Sequence, residues 1–130
     1  MRFLLDTNAV IALLKGSPAF IERLRMHKTQ DFGLPTIVAH ELYFGAYRSA
    51  RRAENIARLD ELRFEIVDFT AEDARTAGAV RAELAANGTP IGPYDVLIAA
   101  QALSRDLVLV THNSREFSRV RSLKIEDWEG

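Results

Sequence analysis

Short apolar runs alternate along the chain with longer segments in which apolar residues recur at helical spacing. The first apolar run, at 3–5, predicts a strand, and a polar triplet of Asp, Thr and Asn at 6–8 follows it directly. Such residues favour a helix N-cap, and the apolar positions after them predict a helix that Gly16 and Pro18 end. The chain therefore begins with a strand that passes straight into a helix.

The same alternation continues to the end of the chain. The segment 93–103 is apolar on nearly all sides, which is typical of a buried helix. The segment 107–110 is apolar on both faces, as a strand of a parallel sheet requires. We expect a three-layer α/β/α fold with a central, mainly parallel sheet, as one domain over 1–130 because no linker or repeat is visible. The other predicted strands are 32–34, 64–67 and 123–125, and the other predicted helices are 18–28, 36–49, 51–62, 71–86 and 113–120.

The composition is that of an ordinary folded protein, with 48% of the 130 residues hydrophobic and 27% charged. The sequence has no cysteine, which excludes disulfides, thiolate zinc sites, iron–sulfur clusters and cysteine nucleophiles. The formal net charge is −1, so any contact with RNA or DNA must use a local basic patch.

The sequence shows no signal for export or membrane insertion. An acid at Asp6 interrupts the first apolar run too early for the core of a signal peptide. The longest strongly apolar stretch, 96–100, is far shorter than the ~20 residues that span a bilayer. We therefore expect a cytoplasmic protein with no membrane partner.

Polar residues follow two of the predicted strands at the point where each strand ends. Asp6, Thr7 and Asn8 follow the strand at 3–5, and the segment 111–113 follows the strand at 107–110. The carboxyl ends of parallel strands meet at one edge of the sheet, where ligands of open α/β folds bind. The two polar segments are therefore expected at a common rim.

Acids and one amide could converge near this rim, at Asp6, Glu41, Asp95, Asn113 and Glu116. Each has a simpler explanation when taken alone: helix capping, solvent exposure, the dipole of a helix N-terminus, or a capping box. Several carboxylates at one edge, however, repel one another unless a cation compensates. Hard oxygen ligands without cysteine select Mg²⁺ or Mn²⁺, and an ion held in this way usually serves phosphate chemistry.

Four sequence blocks resemble the PIN domain, and in their order and spacing they are most similar to the VapC toxins of bacterial toxin–antitoxin pairs. The resemblance covers essentially the whole chain. The blocks are FLLDTN at 3–8, HELYFGA at 40–46, PIGPYDVLIAAQA at 90–102 and LVLVTHNSREF at 107–117.

This resemblance implies an Mg²⁺-dependent endoribonuclease, with Mn²⁺ as a substitute, whose metal-binding acids fall on Asp6, Glu41 and Asp95. The fourth catalytic position falls within 111–116, where this sequence has Asn113 in place of the aspartate of many PIN domains. An amide can ligate a metal but brings no charge, so either Asn113 or Glu116 supplies the fourth ligand. The number of metal ions, one or two, stays open.

The implied reaction is the attack of a metal-activated water on an RNA phosphodiester, which leaves a 5′-phosphate and a 3′-hydroxyl. Thr7 and Thr111 would hydrogen-bond a carboxylate or the phosphate, and Asn8 would orient Asp6. Plain helix capping explains Thr7 and Asn8 equally well. The substrate could be tRNA or another structured RNA, since nothing in the sequence decides between them.

Basic side chains near the acids could follow the RNA backbone, namely Arg48, Arg51, Arg52 and Arg115. Solvated helix faces with ion pairs would explain the same arginines. The two histidines beside the motifs, His40 and His112, fit packing or hydrogen-bonding roles better than metal ligation.

The resemblance also implies a VapB-type antitoxin as inhibitor and a homodimer as the oligomeric state. An apolar surface is a candidate groove for the antitoxin, although core packing would explain the same residues. Its members are Ile11, Leu14, Phe20, Leu42, Tyr43 and Tyr47.

Two other kinds of protein share part of this pattern. A magnesium phosphatase or phosphate-receiver domain also has an acid after its first strand, but a phosphatase would need Asp-x-Asp and position 8 is Asn. A receiver would need a lysine after its last core strand, where this chain has Thr111, His112 and Asn113. A non-catalytic PIN-like binding module is the second alternative, which the intact Asp6, Glu41 and Asp95 argue against.

Overall fold

Five short strands form one parallel sheet in the computed structural model, which describes residues 1–129. The strands are β1 (Phe3–Leu5), β2 (Phe32–Pro35), β3 (Glu65–Val67), β4 (Val108–Val110) and β5 (Ile125–Glu126). The helices are α1 (Thr7–Leu14), α2 (Pro18–Leu24), α3 (Thr36–Arg48), α4 (Arg52–Asp60), α5 (Ala71–Ala86), α6 (Pro93–Ser104) and α7 (Ser114–Phe117). A 3₁₀ turn at Thr29–Asp31 precedes β2.

The strand order β3-β2-β1-β4-β5 positions the site. From β1 the chain moves outward to β2 and β3, and it then returns to the other side of β1 to form β4 and β5. Because crossovers between parallel strands are right-handed, connections that run in opposite directions leave their helices on opposite faces of the sheet. The result is the expected three-layer α/β/α fold, with its topological switch point between β1 and β4.

The register at this switch point aligns the two strands that carry the polar triplets. Leu5 of β1 is opposite Val110 of β4, and the Asp6 amide donates to the Val110 carbonyl at 3.0 Å. The residues that follow the two strands therefore leave the sheet side by side.

Local signals explain where the first two helices begin and end. The Asp6 side chain accepts from the Thr7 amide as the N-cap of α1. Gly16 has a φ of +75°, a conformation that glycine adopts without strain. Ser17 then caps α2, which has Pro18 in its first turn.

The core lies on both faces of the sheet, and the central strands are fully buried in it. Leu4, Leu5 and Leu109 have no exposed surface, and Trp128 is 2% exposed. The Trp128 ring packs against Phe3 at 5.1 Å between centroids. Helix α6 is buried along most of its length, as its all-round apolar pattern predicts. Burial of this kind, rather than helix propensity, holds such short elements in place.

The predicted fold class is confirmed, and the main differences concern the ends of two helices. The predicted helix 18–28 ends at Leu24 in α2, and turns lead from there to the 3₁₀ turn. The predicted helix 113–120 is only the four-residue α7. No helix among residues 1–129 is long and apolar enough to cross a membrane.

Candidate active site

Asp6 lies at the centre of the rim, where β1 passes into α1, and is only 4% exposed. Its carboxylate accepts hydrogen bonds from the Thr7 amide at 2.8 Å, the Asn8 side-chain amide at 3.2 Å and the Thr111 hydroxyl at 2.7 Å. Burial raises the pKa of Asp6 above its ordinary value of 3.8, and the bonds from Thr111, Thr7 and Asn8 oppose this rise. The three neutral donors thus fix the carboxylate without neutralising it.

Thr111 and Asn8 hold the two strand ends together around Asp6. Thr111 is 1% exposed, and its hydroxyl oxygen also accepts the Asn113 amide at 3.0 Å. The Asn8 side-chain oxygen accepts the His112 amide at 2.9 Å. Any movement of Thr111 or Asn8 would therefore shift Asp6 and the segment after β4 together.

Glu41 reaches the same rim from α3 and is partly buried. The Thr7 hydroxyl donates to its Oε1 at 3.1 Å. Thr7 thus contacts two acids, Asp6 through its backbone amide and Glu41 through its side chain. The predicted contact of Thr7 with a carboxylate is present in the structure.

Asp95 joins the cluster from the first turn of α6. Burial raises the pKa of its carboxyl from 3.8 to about 7, with further contributions from the charge of Asp6, from the charge and hydrogen bonding of Glu116, and from the charge of Glu41. Acids from three other segments are therefore close enough to disfavour ionisation of Asp95.

Asn113 and Glu116 meet each other rather than forming a capping box. Asn113 is the N-cap residue of α7, but its side chain makes no capping hydrogen bond. Its Nδ2 instead donates to Glu116 Oε2 at 2.8 Å. Because Glu116 also contributes to the raised pKa of Asp95, the Asn113–Glu116 pair belongs to the same acidic rim.

The donor set of the rim fits a hard divalent cation. Asp6, Glu41, Asp95 and Glu116 offer carboxylate oxygens, and burial together with the charges of the other three acids raises the pKa of Asp95. Within residues 1–129, no three of these acids bring ligand atoms within 4.8 Å of one another. Mg²⁺ keeps several of its waters, so some of these acids would bind it directly and others through a bound water.

A tighter cluster lies beside the rim, at His112, Asp127 and Glu129, and within residues 1–129 it alone has three ligand atoms within 4.8 Å of one another. His112 Nδ1 hydrogen-bonds to Asp127 Oδ2 at 3.0 Å. This contact accounts for the histidine as a hydrogen-bonding residue, which agrees with the prediction for His112.

The predicted RNA-binding arginines lie at the surface. Arg51 pairs with Glu54 at 2.8 Å, and both side chains are more than half exposed. Arg52 donates to the Tyr47 carbonyl, whereas the guanidinium of Arg48 stacks over Phe44 at 5.2 Å. Surface ion pairs of this kind contribute little stability, so Arg51 is available for an external anion.

The candidate apolar groove is present in part. Ile11, Leu14 and Leu42 line a cavity of about 290 Å³ that has Thr7 and Glu41 in its wall. Other residues predicted for the groove lie elsewhere. Phe20 is completely buried against Trp128, Tyr43 lines a separate cavity, and Tyr47 is exposed on α3. Their positions differ because apolar spacing on a helix does not distinguish a core face from a groove wall.

The sequence reasoning missed two residues that shape the rim. A Cβ atom at Gly92 would lie 3.2 Å from Asp95 Oδ2, so a larger residue there would crowd the carboxylate. Tyr94, next to Asp95, is half exposed and packs edge-on against His40 at 5.0 Å. The Gly-Pro-Tyr-Asp string at 92–95 is the one signal that could have indicated both residues.

The comparisons with known proteins agree with this geometry. The PIN domain model matches residues 3–123. The chain belongs to the PIN domain family. This assignment excludes the phosphatase and receiver alternatives, because the match extends over nearly the whole fold.

Full-length relatives place this PIN domain in the VapC group. It is 41% identical over 130 residues to the tRNA(fMet)-specific endonuclease VapC of Salmonella typhimurium, with 98% of each chain covered. It is 39% identical over 131 residues to the Shigella flexneri protein of the same name, again with 98% of each chain covered.

Solved structures of VapBC complexes have the same fold. The DNA-bound VapBC of Salmonella typhimurium matches with a TM-score of 0.93 and 40% identity, covering 98% of both chains. VapBC2 of Rickettsia felis, bound to a DNA fragment from its promoter, matches with a TM-score of 0.90 and 33% identity, covering 98% of this chain and 99% of that one.

Proposed function

We propose that this chain is the toxin of a VapBC-type pair and acts as an endoribonuclease that depends on Mg²⁺, with Mn²⁺ as a substitute. The observation that carries the proposal is the acidic rim, in which Asp6, Glu41 and Glu116 surround Asp95, and burial together with these acids raises the pKa of Asp95 to about 7. Such a cluster opposes folding unless a cation binds it. Relatives named as ribonucleases and endonucleases supply RNA as the substrate.

Asp6, Asp95 and Glu41 would hold the cation, and Asn113 or Glu116 would supply a fourth ligand. When bound, a divalent cation polarises a phosphoryl oxygen and lowers the pKa of a bound water. The Thr111 and Asn8 hydrogen bonds keep Asp6 oriented toward the site. Thr7 holds Glu41 in the same way. These contacts pre-organise the carboxylates, so little reordering is needed when the phosphate arrives.

The substrate is proposed to be tRNA or another structured RNA, cut to leave a 5′-phosphate and a 3′-hydroxyl. Two relatives are named as specific for tRNA(fMet). Arg48, Arg51, Arg52 and Arg115 would contact phosphates on either side of the acidic rim. Since the chain carries a net charge of −1, these local cations must offset the repulsion between RNA and the acids.

The decisive experiment is cleavage of total tRNA and total RNA by the purified protein in Mg²⁺, in Mn²⁺ and in EDTA, with mapping of the new 5′ ends. We expect cleavage with either metal and none in EDTA. Asp6→Asn and Asp95→Asn should each abolish it, whereas Glu22→Gln, an exposed acid of α2, should leave it unchanged. Full activity in EDTA would contradict the metal role, and no cleavage under any condition would support a non-catalytic binding module.

The inhibitor is proposed to be a VapB-type antitoxin that inserts an apolar side chain into the 290 Å³ cavity. The cavity extends from Glu41 at the acidic rim to Arg58, so a peptide lying along it would approach the site directly. Arg58 donates to the Leu14 carbonyl, which connects α4 to the end of α1 and keeps this wall in place.

Gly45 offers a clean test of this groove, because it lines the cavity and a Cβ there would meet no other atom within 4 Å. Gly45→Leu should fold, cut RNA normally and escape inhibition by a VapB-type antitoxin. Gly45→Ala is the matched control and should remain inhibited. Equal inhibition of both variants would move the antitoxin to another surface. Homodimerisation and a cytoplasmic location are further proposals, which sedimentation and cell fractionation would test.

A further inference from the structure

Large aromatic side chains stand exposed on one face of α3. Phe44 is 59% exposed and Tyr47 is 54% exposed, and His40 is exposed one turn earlier. Residues 40, 44 and 47 lie within about 60° of one another around a helix axis and span about 10 Å along it. The buried residues of α3 occupy other positions, so this aromatic face takes no part in the core.

The aromatic face begins at the acidic rim. His40 precedes Glu41, and its ring packs edge-on against Tyr94, which precedes Asp95. Tyr94 is 49% exposed. His40 Nδ1 hydrogen-bonds to the Ile37 carbonyl at 2.7 Å, which fixes the plane of its ring. The rings of His40 and Tyr94 therefore contact each other beside two acids of the rim, Glu41 and Asp95.

Arginines accompany the other two rings. The Arg48 guanidinium lies 5.2 Å from the Phe44 centroid, and that of Arg52 lies 6.0 Å from the Tyr47 centroid. Their contacts with the rings leave the charges at the surface. Alternating rings and guanidinium groups are typical of surfaces that bind single-stranded nucleic acid, where bases stack and phosphates pair with cations.

We infer that single-stranded RNA lies along this face of α3, with bases stacked on Tyr94, Phe44 and Tyr47 as its backbone enters the acidic rim. The inference rests on the proposed ribonuclease function and adds the residues that position an unpaired segment of the structured RNA substrate. Stacking holds the RNA in place without reading its sequence, because every base has an aromatic face.

Charge favours RNA over a protein partner as the occupant. The face carries Arg48 and Arg52 next to a rim of carboxylates, so an RNA chain gains cation contacts while its scissile phosphate meets the metal site. A segment of a second chain would need acids for these arginines and cations for the rim at once. The aromatic face is also separate from the apolar cavity, which lies between α1, α3 and α4.

The test uses the full-length protein and a fluorogenic, unstructured oligoribonucleotide in Mg²⁺. Tyr94→Ala and Phe44→Ala should each raise KM about 5- to 100-fold, the effect of losing one stacked base, and leave kcat at saturation nearly unchanged. The conservative variants Tyr94→Phe and Phe44→Tyr keep an aromatic ring, so each should have the KM of the wild type. Ile66→Ala, on strand β3 and also 49% exposed, is the control and should match the wild type.

A second readout separates stacking from a structural role. In an oligoribonucleotide that carries 2-aminopurine, the wild type should quench the fluorescence at positions beside the cut, and Tyr94→Ala should lose this quenching. Unchanged KM and quenching in both alanine variants would overturn the inference. So would a weaker response to the antitoxin, or a change in oligomeric state, without any change in KM. Failure of the wild type to cut or bind RNA would refute the proposed function itself, and the inference with it.

Discussion

Replacing Asp95 with asparagine should remove activity and stabilise the fold in a pH-dependent way. The carboxyl of Asp95 is partly buried and lies near Asp6, Glu116 and Glu41, and its pKa is raised from 3.8 to about 7. Asparagine has nearly the same shape but cannot ionise. The variant therefore removes the charge repulsion while it preserves the packing of α6.

The size of the effect follows from the change in pKa. An increase from 3.8 to about 7 corresponds to about 4 kcal/mol at the unscreened limit. Because Asp95 keeps part of its surface in contact with water, screening reduces this figure to about 1–2 kcal/mol. For a chain of this length such a change moves the Tm by about 3–8 °C.

The sign depends on which state binds the proton more tightly. The pKa of Asp95 is higher in the folded protein than in the unfolded chain, so the folded state holds the proton longer as pH rises. The ionisation penalty is absent below about pH 4, grows between about pH 4 and 7, and is complete above that range. The stability gain of Asp95→Asn should therefore be complete at pH 8.5 and smaller at pH 5.

Thermal unfolding of the wild type and Asp95→Asn in EDTA, at pH 5 and pH 8.5, measures this difference. Adding Mg²⁺ at pH 8.5 should raise the Tm of the wild type more than that of the variant. The cation offsets the charge repulsion around Asp95, which asparagine has already removed in the variant. Glu22→Gln should show no such pH dependence. A gain of equal size at both pH values, or a variant less stable than the wild type at pH 8.5, would refute the electrostatic explanation.

Three further predictions test the support of the site, the RNA path and the core. Thr111→Val should lower the free energy of unfolding in urea by about 1–2 kcal/mol and weaken Mg²⁺ binding by about 10- to 100-fold in calorimetry. Thr111→Ser keeps the hydroxyl and should have wild-type values of both quantities. Wild-type values in the valine variant would contradict this role of Thr111. Arg51→Ala combined with Arg52→Ala should flatten the salt dependence of RNA binding by about one to two phosphate contacts, whereas Arg25→Ala should not, and an unchanged slope would place the RNA elsewhere. Trp128→Ala should cost about 3–5 kcal/mol by urea unfolding, and a loss below 1 kcal/mol would show that its aromatic contacts are dispensable.

The sequence predicted the architecture because its signals are local. Asp6 follows an apolar run and precedes a helix, and the parallel register of β1 and β4 then brings it beside Thr111. The sequence could not predict the contact between Thr7 and Glu41, which lie 34 positions apart and meet only through the packing of α1 and α3. The early end of α2 escaped prediction for a similar reason, since His27 stacks on the distant Trp128 instead of continuing the helix.

The buried acids show most clearly what tertiary structure adds to sequence. Asp6 and Asp73 both lie at helix N-termini, so the sequence pattern predicts only helix capping for each. In the structure both are buried, at 4% and 1% exposed. Burial alone would raise the pKa of Asp73, but Arg105 at 2.6 Å, with Ser104 and Thr70, holds it below its ordinary value. Asp6 has hydrogen bonds from neutral groups and forms no ion pair within residues 1–129. A buried carboxylate that already has a cationic partner holds two helices together, whereas one supplied only with neutral donors keeps its charge for a cation from outside.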